Sequence, residues 1–314
     1  PGQGWRAILI EADCRIEVGT ADRALATEEI LTVSGNHCDG AIGQITERWG
    51  GTLFAALRKA GGRAYSNYAV GFDNVDLAAA TASGIPVGTT PGVLTETTAE
   101  MAVALAFAAA RRCGESERFL RAGKFESWLP KLFLGELLWR KTVGVIGAGR
   151  IGSAFARMMV EGHKMNLLYY SRHRNEQLEN FCRAYGRVLE TRGENPVTCR
   201  RAKRLETLLA EADCVSLHTT LNASTRHLID AERLSLMKPN AVLVNTSRGP
   251  VIDEAALVAH CRRNPQFRAG LDVFEHEPRL TPGLAELENV VIVPHTGSAT
   301  RFARDGMALS LIHI

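Results

Sequence analysis

Residues 142–159, which read TVGVIGAGRIGSAFARMM, decide the fold of this chain. The first five residues form a short β-branched run of the kind found in buried strands. The run breaks at a cluster of glycines, and apolar residues then return at helical spacing at Ile151, Phe155 and Met158. A strand, a glycine-rich turn and a helix in this order predict an α/β fold with a doubly wound parallel sheet.

Three glycines in the turn each have a separate physical role. Gly147 allows a tight turn, Gly149 lets a pyrophosphate approach the backbone, and Gly152 lets the helix pack on the strand. Amide groups at the helix N-terminus also favour an anion. The motif alone is a weak signal, because glycine turns also occur in βαβ units without a ligand. A second apolar run at 165–170 completes the unit and favours a dinucleotide site.

The composition limits the classes of function. The chain has 314 residues, enough for two domains, with 46% hydrophobic and 23% charged residues and a net charge of +3. We expect no nucleic-acid partner, and we interpret the basic cluster at 200–204 as a solvated face.

The seven cysteines show no C-x-x-C spacing, which argues against a disulfide framework and a metal site and favours a reducing compartment. The longest apolar run, 101–110, is too short to span a membrane, and no signal peptide is visible.

Alternating strand and helix patterns divide the chain into two α/β units. The first is predicted to contain a helix at 5–10 that runs into a strand, and further strands and helices. Its predicted strands are 15–18, 39–43, 63–66 and 85–88, and its later helices are 53–60 and 76–83. A long helix at 95–112 leads into the second unit. Six strands are predicted there, at 142–146, 165–170, 214–218, 241–245, 268–274 and 290–293, and 187–204 is predicted to be a surface excursion.

Three polar residues directly follow predicted strands of the second unit: Arg248, Glu277 and His295. The carboxyl ends of parallel strands meet at one edge of the sheet, so the three side chains can converge. An arginine can bind the carboxylate and the carbonyl oxygen of a 2-oxo acid. A histidine can give a proton to that carbonyl, and a carboxylate can fix the histidine tautomer. The alternatives are a histidine cap, an arginine in an ordinary ion pair and a surface glutamate.

Four segments resemble the signature motifs of the D-isomer-specific 2-hydroxyacid dehydrogenases: GAGRIG, NTSRGPVIDEAAL, GLDVFEHEP and PHTGSAT. SNYAVGFDNVD, TPGVLTETTAE and the stretch around GENPVT are similar to the hydroxypyruvate reductases of plant-type photorespiration. The resemblance covers nearly the whole chain. It implies two Rossmann-like domains: a smaller, flavodoxin-like substrate domain at 1–95, completed by 299–314, and an NAD(P)-binding domain at 96–298.

The resemblance also implies an activity, namely reduction of hydroxypyruvate to D-glycerate and, more weakly, of glyoxylate to glycolate. It implies that His295 is the acid/base, that Glu277 is its partner and that Arg248 binds the substrate, whose carboxylate the amides of Val70 and Gly71 would hold. The expected cofactor-binding residues are Thr98, Gly147, Gly149, Arg150, Ile151, Gly152, Ser171, Arg172, Arg174, Thr246, Asp272 and Gly297. A homodimer through the cofactor domains is implied, with Trp128 reaching the partner's substrate pocket. A peroxisomal location is implied too, with the cytoplasm as the alternative.

One departure from the family pattern bears on the cofactor. Ser171 stands where NAD enzymes carry an acid at the end of the second strand, and Arg172 and Arg174 follow it. Serine removes the repulsion of a 2′-phosphate, and an arginine can bind the phosphate, so NADP(H) is favoured over NAD(H). Alternatively, both arginines are solvated and NAD(H) binds. Two further departures are Thr220 in place of a proline and the final LSLIHI, which does not resemble the family.

Three other functions remain open at this point. D-3-phosphoglycerate dehydrogenase usually carries a further regulatory domain, and formate dehydrogenase is disfavoured because resembling enzymes have glutamine where Glu277 stands. A dinucleotide-sensing corepressor of the same fold keeps the three catalytic residues, so the motifs do not exclude it. Turnover of hydroxypyruvate would separate these functions.

Overall fold

The computed structural model describes residues 4–19, 21 and 23–312. The chain forms two compact units. The first comprises Pro1–Leu94 and Ser298–Ile314, and the second comprises Thr95–Gly297.

The first unit is built on a three-stranded parallel sheet. Its helices are α1 (Gly4–Glu11), α2 (Thr27–Ser34), α3 (Gly51–Lys59) and α4 (Leu77–Ala82). Its strands, in the order β1-β2-β3, are β1 (Gly40–Gly43), β2 (Ala64–Asn67) and β3 (Val87–Gly88). Phe54, Leu57 and Tyr65 are fully buried between α3 and the sheet. The apolar positions that predicted these elements therefore form the core of the unit.

One predicted strand of this unit is wrong. Residues 15–18 adopt no strand, and no described strand lies beside them. Val18 is 51% exposed, so the alternation of apolar and charged residues there has no sheet face to cover. Helix α2, which we did not predict, follows this segment.

The second unit is a seven-stranded parallel sheet in the order β10-β9-β8-β7-β4-β5-β6. The strands are β4 (Thr142–Ile146), β5 (Asn166–Tyr170), β6 (Cys199–Arg201), β7 (Cys214–Leu217), β8 (Val242–Asn245), β9 (Arg268–Leu271) and β10 (Val290–Ile292). The helices are α5 (Thr95–Ala110), α6 (Cys113–Arg121), α7 (Arg150–His163), α8 (Glu176–Thr191), α9 (Leu205–Glu211), α10 (Ala231–Leu236) and α11 (Glu254–Arg263). A short 3₁₀ turn spans Gly249–Val251.

Small residues let α5 lie close to strands β8 and β9 of this sheet. Five alanines of the helix are buried in the core. A Cβ atom on Gly270 of β9 would lie only 2.9 Å from Cβ of Leu105. The helix and the strand thus pack backbone to backbone, which anchors the strand ends where ligands bind.

The predicted surface excursion at 187–204 is wrong. Helix α8 continues to Thr191, because Leu178, Cys182, Gly186 and Leu189 keep one buried face at helical spacing. Residues Cys199–Arg201 then form β6, an edge strand that pairs with β5 only. A three-residue edge strand needs no long apolar run, so the polar sequence hid it, and the sheet has seven strands where six were predicted.

A final helix, α12 (Arg301–Leu311), returns to the first unit. The Thr300 side chain caps it by accepting a hydrogen bond from the Ala303 amide at 3.1 Å. The carbonyl of Leu311 accepts a hydrogen bond from Ser66 at 3.0 Å. The first residues of the LSLIHI segment are thus part of the folded unit, and the last two lie outside the described residues.

Candidate active site

The glycine turn after β4 has the geometry that its three glycines predict. Gly147 has a φ of +95°, and a Cβ atom there would lie 2.5 Å from the carbonyl oxygen of His218. A Cβ atom on Gly152 would lie 2.1 Å from the carbonyl oxygen of Gly147. At Gly149, in contrast, a Cβ atom would project into open space. Two glycines therefore serve packing, and the third leaves room at the N-terminus of α7, where Arg150 is exposed and Ile151 is half-buried.

A cavity of about 510 Å³ opens beside this turn. Its lining residues are Ala148, Gly149, Ser171, His173, Arg174, Asn175, Glu176 and Gln177. The cavity thus joins the glycine turn to the loop after β5, as expected for a dinucleotide that places its pyrophosphate at the turn and its adenosine at the loop. These residues fit a nicotinamide dinucleotide.

The two arginines of the loop differ in their surroundings. Arg174 donates three hydrogen bonds to Glu179, at 2.7, 2.9 and 3.2 Å, and Glu179 also accepts one from Tyr169 at 2.6 Å. Arg172 is exposed, and its guanidinium has no ion pair with any described residue. Arg201 donates to the carbonyl oxygens of Ser171 and Arg172 at 2.8 and 2.9 Å. The loop is therefore held from both β6 and α8.

Asn175, which the sequence did not single out, links this loop to the glycine turn. Its Nδ2 atom donates to the carbonyl of Ala148 at 2.9 Å and lies 3.0 Å from Oγ of Ser153. Its Oδ1 atom accepts from the Leu178 amide at 3.0 Å and caps α8. One side chain therefore sets the spacing of two walls of the cavity. The signal that could have found it is an Asn three residues before Leu178, at the start of an amphipathic helix.

Glu277 and His295 are in direct contact. Oε2 of Glu277 lies 2.9 Å from Nδ1 of His295, and Oε1 accepts a hydrogen bond from the Phe274 amide at 2.9 Å. Burial acts to raise the pKa of Glu277, but the hydrogen bond from His295 and the charges of His295 and Arg248 outweigh it, so the pKa is lowered. Glu277 is thus an ionised acceptor that orients the imidazole.

Arg248 completes the predicted group of three. It lies at the start of the 3₁₀ turn after β8, where Asn245 Nδ2 donates to its carbonyl oxygen at 2.9 Å. Its Nη1 donates to the Ser247 carbonyl at 2.8 Å. Because its charge contributes to lowering the pKa of Glu277, the structure brings all three residues into one electrostatic environment.

His295 is held in an unusual backbone conformation. Its φ is +51°, in the left-handed region that non-glycine residues rarely adopt. Its amide donates to the carbonyl oxygens of Asp272 and Val293, at 2.8 and 3.0 Å, and these bonds hold the conformation. A strained residue with a defined side-chain partner is typical of a functional position.

Asp272 and Gly297 lie beside this histidine, together with Thr98 of α5. The carboxylate of Asp272 accepts hydrogen bonds from the amides of Thr296 and Gly297 at 2.6 and 2.8 Å. Burial raises the pKa of Asp272, and these amide bonds oppose the rise. A Cβ atom on Gly297 would lie 2.8 Å from Asp272 and 3.5 Å from Thr98. Three predicted cofactor residues thus form one cluster.

Two buried threonine hydroxyls at the ends of neighbouring strands have no hydrogen-bond partner among the described residues. Thr246 follows β8, and Thr219 lies two residues after the end of β7. An unpaired buried hydroxyl costs free energy unless a ligand or water satisfies it. Thr246 was predicted as a cofactor residue. Thr219 was missed, although its position just after an apolar strand was a usable signal.

Val70 and Gly71 lie in the first unit, after β2. Within the described residues, neither amide donates a hydrogen bond, and the Gly71 carbonyl accepts one from Asn67 Nδ2 at 2.9 Å. Two adjacent free amides form a small site for a carboxylate.

No group of three or more His, Cys, Asp or Glu side chains in the described chain is arranged to hold a metal. Among the same residues, no helix is long and apolar enough to cross a membrane.

Comparison with known proteins identifies the family. The D-isomer-specific 2-hydroxyacid dehydrogenase NAD-binding domain matches residues 103–297. This chain belongs to the D-isomer-specific 2-hydroxyacid dehydrogenases. The match spans β4 to β10 and includes the glycine turn, Arg248, Glu277 and His295.

Other members of the family are similar over almost the whole chain. A glycerate dehydrogenase from Cucumis sativus and a peroxisomal one from Arabidopsis thaliana are each 57% identical over 309 residues, which is 98% of this chain and 81% and 80% of the relatives. A glyoxylate reductase from Pyrococcus horikoshii is 41% identical over 304 residues, 96% of this chain and 85% of the relative. Among solved structures, the D-lactate dehydrogenase of Aquifex aeolicus with NAD and lactic acid matches at 28% identity with a TM-score of 0.79, over 98% of this chain and 90% of that one.

Proposed function

We propose that this dehydrogenase reduces hydroxypyruvate to D-glycerate with a nicotinamide cofactor, and glyoxylate to glycolate more weakly. The observation that carries the proposal is the Glu277–His295 pair, with Arg248 in the same electrostatic environment. The similarity to glycerate dehydrogenases and to a glyoxylate reductase supports this choice of substrates.

The proposed mechanism assigns one task to each residue. A nicotinamide cofactor, held by the glycine turn and by Asp272, would supply the hydride for the carbonyl carbon of the substrate. Arg248 binds the carboxylate and the 2-oxo oxygen with its planar set of donors. His295 gives the proton on Nε2 to that oxygen, because Nδ1 is engaged by Glu277. Glu277 keeps the ring in the tautomer and orientation that this transfer needs.

Two further contacts orient the reactants. The free amides of Val70 and Gly71 would bind the substrate carboxylate, which makes the first unit the substrate domain. Asp272, with Thr98 and Gly297 beside it, would bind the nicotinamide carboxamide, and Thr246 would be a further cofactor contact. These roles follow the family pattern, and the free hydroxyl of Thr246 supports a ligand at that position.

A substrate panel tests the reaction. Purified enzyme is assayed by nicotinamide absorbance with hydroxypyruvate, glyoxylate, 3-phosphohydroxypyruvate and pyruvate. We expect the highest kcat/KM with hydroxypyruvate. His295→Gln should lower it by ~10²–10⁴-fold with cofactor binding retained. His227→Gln is the matched control, because His227 pairs with Glu275 at 2.6 Å outside the proposed site.

Two outcomes of the panel would contradict the proposal. Faster turnover of the phosphorylated substrate would indicate a 3-phosphoglycerate dehydrogenase. Cofactor binding without turnover of any of the four acids would favour a dinucleotide-sensing corepressor. Wild-type activity in His295→Gln would refute the role of the histidine.

We infer that NADP(H) is the preferred cofactor. Ser171 lines the cavity in place of a repelling carboxylate. Arg172 has no ion pair among the described residues, and Arg174 lines the cavity but shares its charge with Glu179. A phosphate hydrogen-bonded to a charged group contributes ~1.5–3 kcal/mol, about 10- to 150-fold in affinity.

The ratio of kcat/KM for NADPH and NADH tests this preference. The parent enzyme should favour NADPH, and Ser171→Asp combined with Arg172→Leu should favour NADH. Arg174→Leu should change the ratio less than Arg172→Leu, because Glu179 already binds that guanidinium. A parent enzyme that prefers NADH would make the inference from Ser171 and Arg172 wrong.

We also propose a homodimer through the cofactor domains. Large apolar side chains are exposed along 120–139, where Leu134 is 63% and Trp128 is 78% exposed. A cluster of this kind is costly in water and is typical of a protein interface. Leu134→Asp should shift the mass measured by light scattering toward a monomer. Phe302→Asp, a change at an exposed apolar residue of the first unit, should not.

The family also suggests a contact with the partner subunit and a cellular location. Trp128 would reach the substrate pocket of the partner subunit, so Trp128→Ala should raise KM for hydroxypyruvate without dissociating the dimer. A peroxisomal location is supported by the Arabidopsis relative, with the cytoplasm as the alternative. Imaging a fluorescent fusion of the full-length protein distinguishes the two compartments.

A further inference from the structure

The side chain of Asn175 uses every hydrogen-bond donor that it has to join the two walls of the cavity. Its Nδ2 atom donates to the Ala148 carbonyl at 2.9 Å and to Oγ of Ser153 at 3.0 Å, while Oδ1 accepts from the Leu178 amide at 3.0 Å. A carbonyl only accepts and an amide only donates, so these partners fix the orientation of the side chain. Because no donor is left for a ligand, Asn175 acts on a bound cofactor through the protein atoms that it holds.

Asn175 is itself fixed from β5 and α8. Its backbone amide donates to the Tyr169 hydroxyl at 3.1 Å, and this hydroxyl donates to Glu179 at 2.6 Å. Tyr169 is fully buried. Burial, together with the hydrogen bond to Glu179, raises the pKa of the Tyr169 hydroxyl to about 12, so the hydroxyl stays protonated at neutral pH. Asn175 is therefore held firmly on the loop side before it reaches the turn.

Few other contacts set the distance between the two walls. In the described part of the chain, residues 170–177 and the glycine turn share one other hydrogen bond, from the Gly147 amide to the Tyr170 carbonyl at 2.8 Å, where β4 and β5 end. The contacts of Arg201 and Arg174 hold the loop to β6 and α8 instead. The spacing of loop and turn beyond the strand ends thus depends on Asn175.

We propose that Asn175 is a positioning residue of the cofactor site, which holds the loop and the glycine turn at the spacing that a dinucleotide needs. A ligand that contacts both walls benefits most, because it meets two surfaces already in place and does not have to order the loop on binding. The role does not involve the 2′-phosphate, so it applies equally to NADH and NADPH. It rests on the proposed cofactor site beside the glycine turn and is independent of which acid is reduced.

Two variants separate the link from the helix cap. Asn175→Ser keeps a residue type that caps helices well, so its hydroxyl can still accept the Leu178 amide, but it is too short to reach Ala148. Ser153→Ala removes one of the two contacts of Nδ2 and leaves the other. It is the second variant if Asn175→Ser fails to fold.

Asn289→Ser is the matched control. Asn289 lies in the same unit and is half-buried, as Asn175 is. Its Nδ2 atom also links separate segments, because it donates to the carbonyls of Cys261, Asn264 and Phe267 at 3.0, 3.3 and 2.8 Å. None of these residues lines the cavity. The control therefore removes a comparable link at a place where no cofactor contact is proposed.

Calorimetric titration with ADP-ribose and with 5′-AMP tests the spacing. ADP-ribose carries adenosine and the pyrophosphate and so contacts both walls, whereas 5′-AMP lacks the pyrophosphate. Asn175→Ser should raise the Kd of ADP-ribose about 2- to 12-fold, the effect of one net hydrogen bond, and leave that of 5′-AMP nearly unchanged. Ser153→Ala should raise the Kd of ADP-ribose by a smaller factor. Asn289→Ser should lower the melting temperature and change neither Kd.

Steady-state kinetics give a second readout. In Asn175→Ser, KM for NADPH and KM for NADH should rise by the same factor, and kcat should stay the same. The ratio of kcat/KM for the two cofactors should therefore not change, in contrast to the effect expected for Ser171 and Arg172. A change in that ratio, or a fall in kcat with KM unaltered, would overturn the proposal.

The binding data have outcomes that would also overturn it. Equal weakening of ADP-ribose and 5′-AMP in Asn175→Ser would show that Asn175 acts on the loop alone, and unchanged binding of ADP-ribose would show that the spacing does not depend on it. An equal loss in Asn289→Ser would indicate general destabilisation. A parent enzyme that binds neither ligand would refute the proposed cofactor site itself, and the role of Asn175 with it. Binding of ADP-ribose needs no turnover, so these results are independent of the proposed reaction.

Discussion

Replacement of Glu277 by glutamine removes one charge from the proposed catalytic pair and keeps its shape. The amide oxygen can still accept the Phe274 amide bond of 2.9 Å. The contact with His295 Nδ1 loses its ionic character. Glu277 has a lowered pKa, so it is ionised in the wild type throughout the neutral range, and the substitution removes a full charge at every assay pH.

The structure sets the size of the expected effect. A hydrogen bond to a charged group contributes ~1.5–3 kcal/mol, which corresponds to about 10- to 150-fold in rate. The side chains of Glu277 and His295 are 35% and 34% exposed. Water screens such a pair in part, so we expect a loss in kcat/KM near the lower limit, about 10-fold.

The assay is kcat/KM for hydroxypyruvate, with cofactor binding measured separately by fluorescence. Glu275→Gln is the matched control. Glu275 also bonds a histidine, His227, at 2.6 Å, two residues from Glu277, and its side chain is 8% exposed. Both substitutions should lower the melting temperature. Only Glu277→Gln should lower kcat/KM for hydroxypyruvate, by about 10-fold.

An unchanged kcat/KM in Glu277→Gln would show that Glu277 does not orient the imidazole of His295 for proton transfer. Equal losses of activity in both variants would show that the effect is one of general stability. Either result would remove the physical basis for the proposed pair.

Three further predictions concern one histidine and three glycines. Burial lowers the pKa of His218 from 6.5 to about 3. The stability that the neutral side chain contributes is therefore complete above pH 6.5 and is lost as the pH falls toward 3. In His218→Asn, the free energy of unfolding, measured in urea, should fall by ~2 kcal/mol less between pH 7.5 and pH 5 than in the parent. Gly149→Ala should keep the melting temperature and raise KM for the cofactor, whereas Gly152→Ala should lower the melting temperature, because its Cβ would lie 2.1 Å from a carbonyl oxygen. Gly43→Ala should destabilise the first unit by ~1–3 kcal/mol, since its Cβ would lie 2.5 Å from both Trp49 Nε1 and the Tyr65 hydroxyl. A melting temperature of Gly43→Ala equal to that of the parent would contradict this packing argument.

The sequence by itself determined the features that depend on local pattern. The β-branched run before Gly147 and the helical spacing after it predicted β4, the turn and α7 within a few residues. Parallel sheets bury both faces, so most of their strands are continuous apolar runs that are visible in one dimension. Arg248 and His295 were predicted because each comes shortly after such a strand.

The tertiary structure decided what depends on neighbours distant in the chain. Strand β6 is only three residues long and is recognisable as a strand only through its ladder with β5. Residues 15–18 are not a strand, because no strand in the described part of the chain lies beside them. The ion pair of Arg174 with Glu179 and the Asn175 link to the glycine turn likewise have no signature in local spacing. Periodicity records which face of an element is buried, whereas these contacts depend on which element lies against that face, and only the folded chain specifies that.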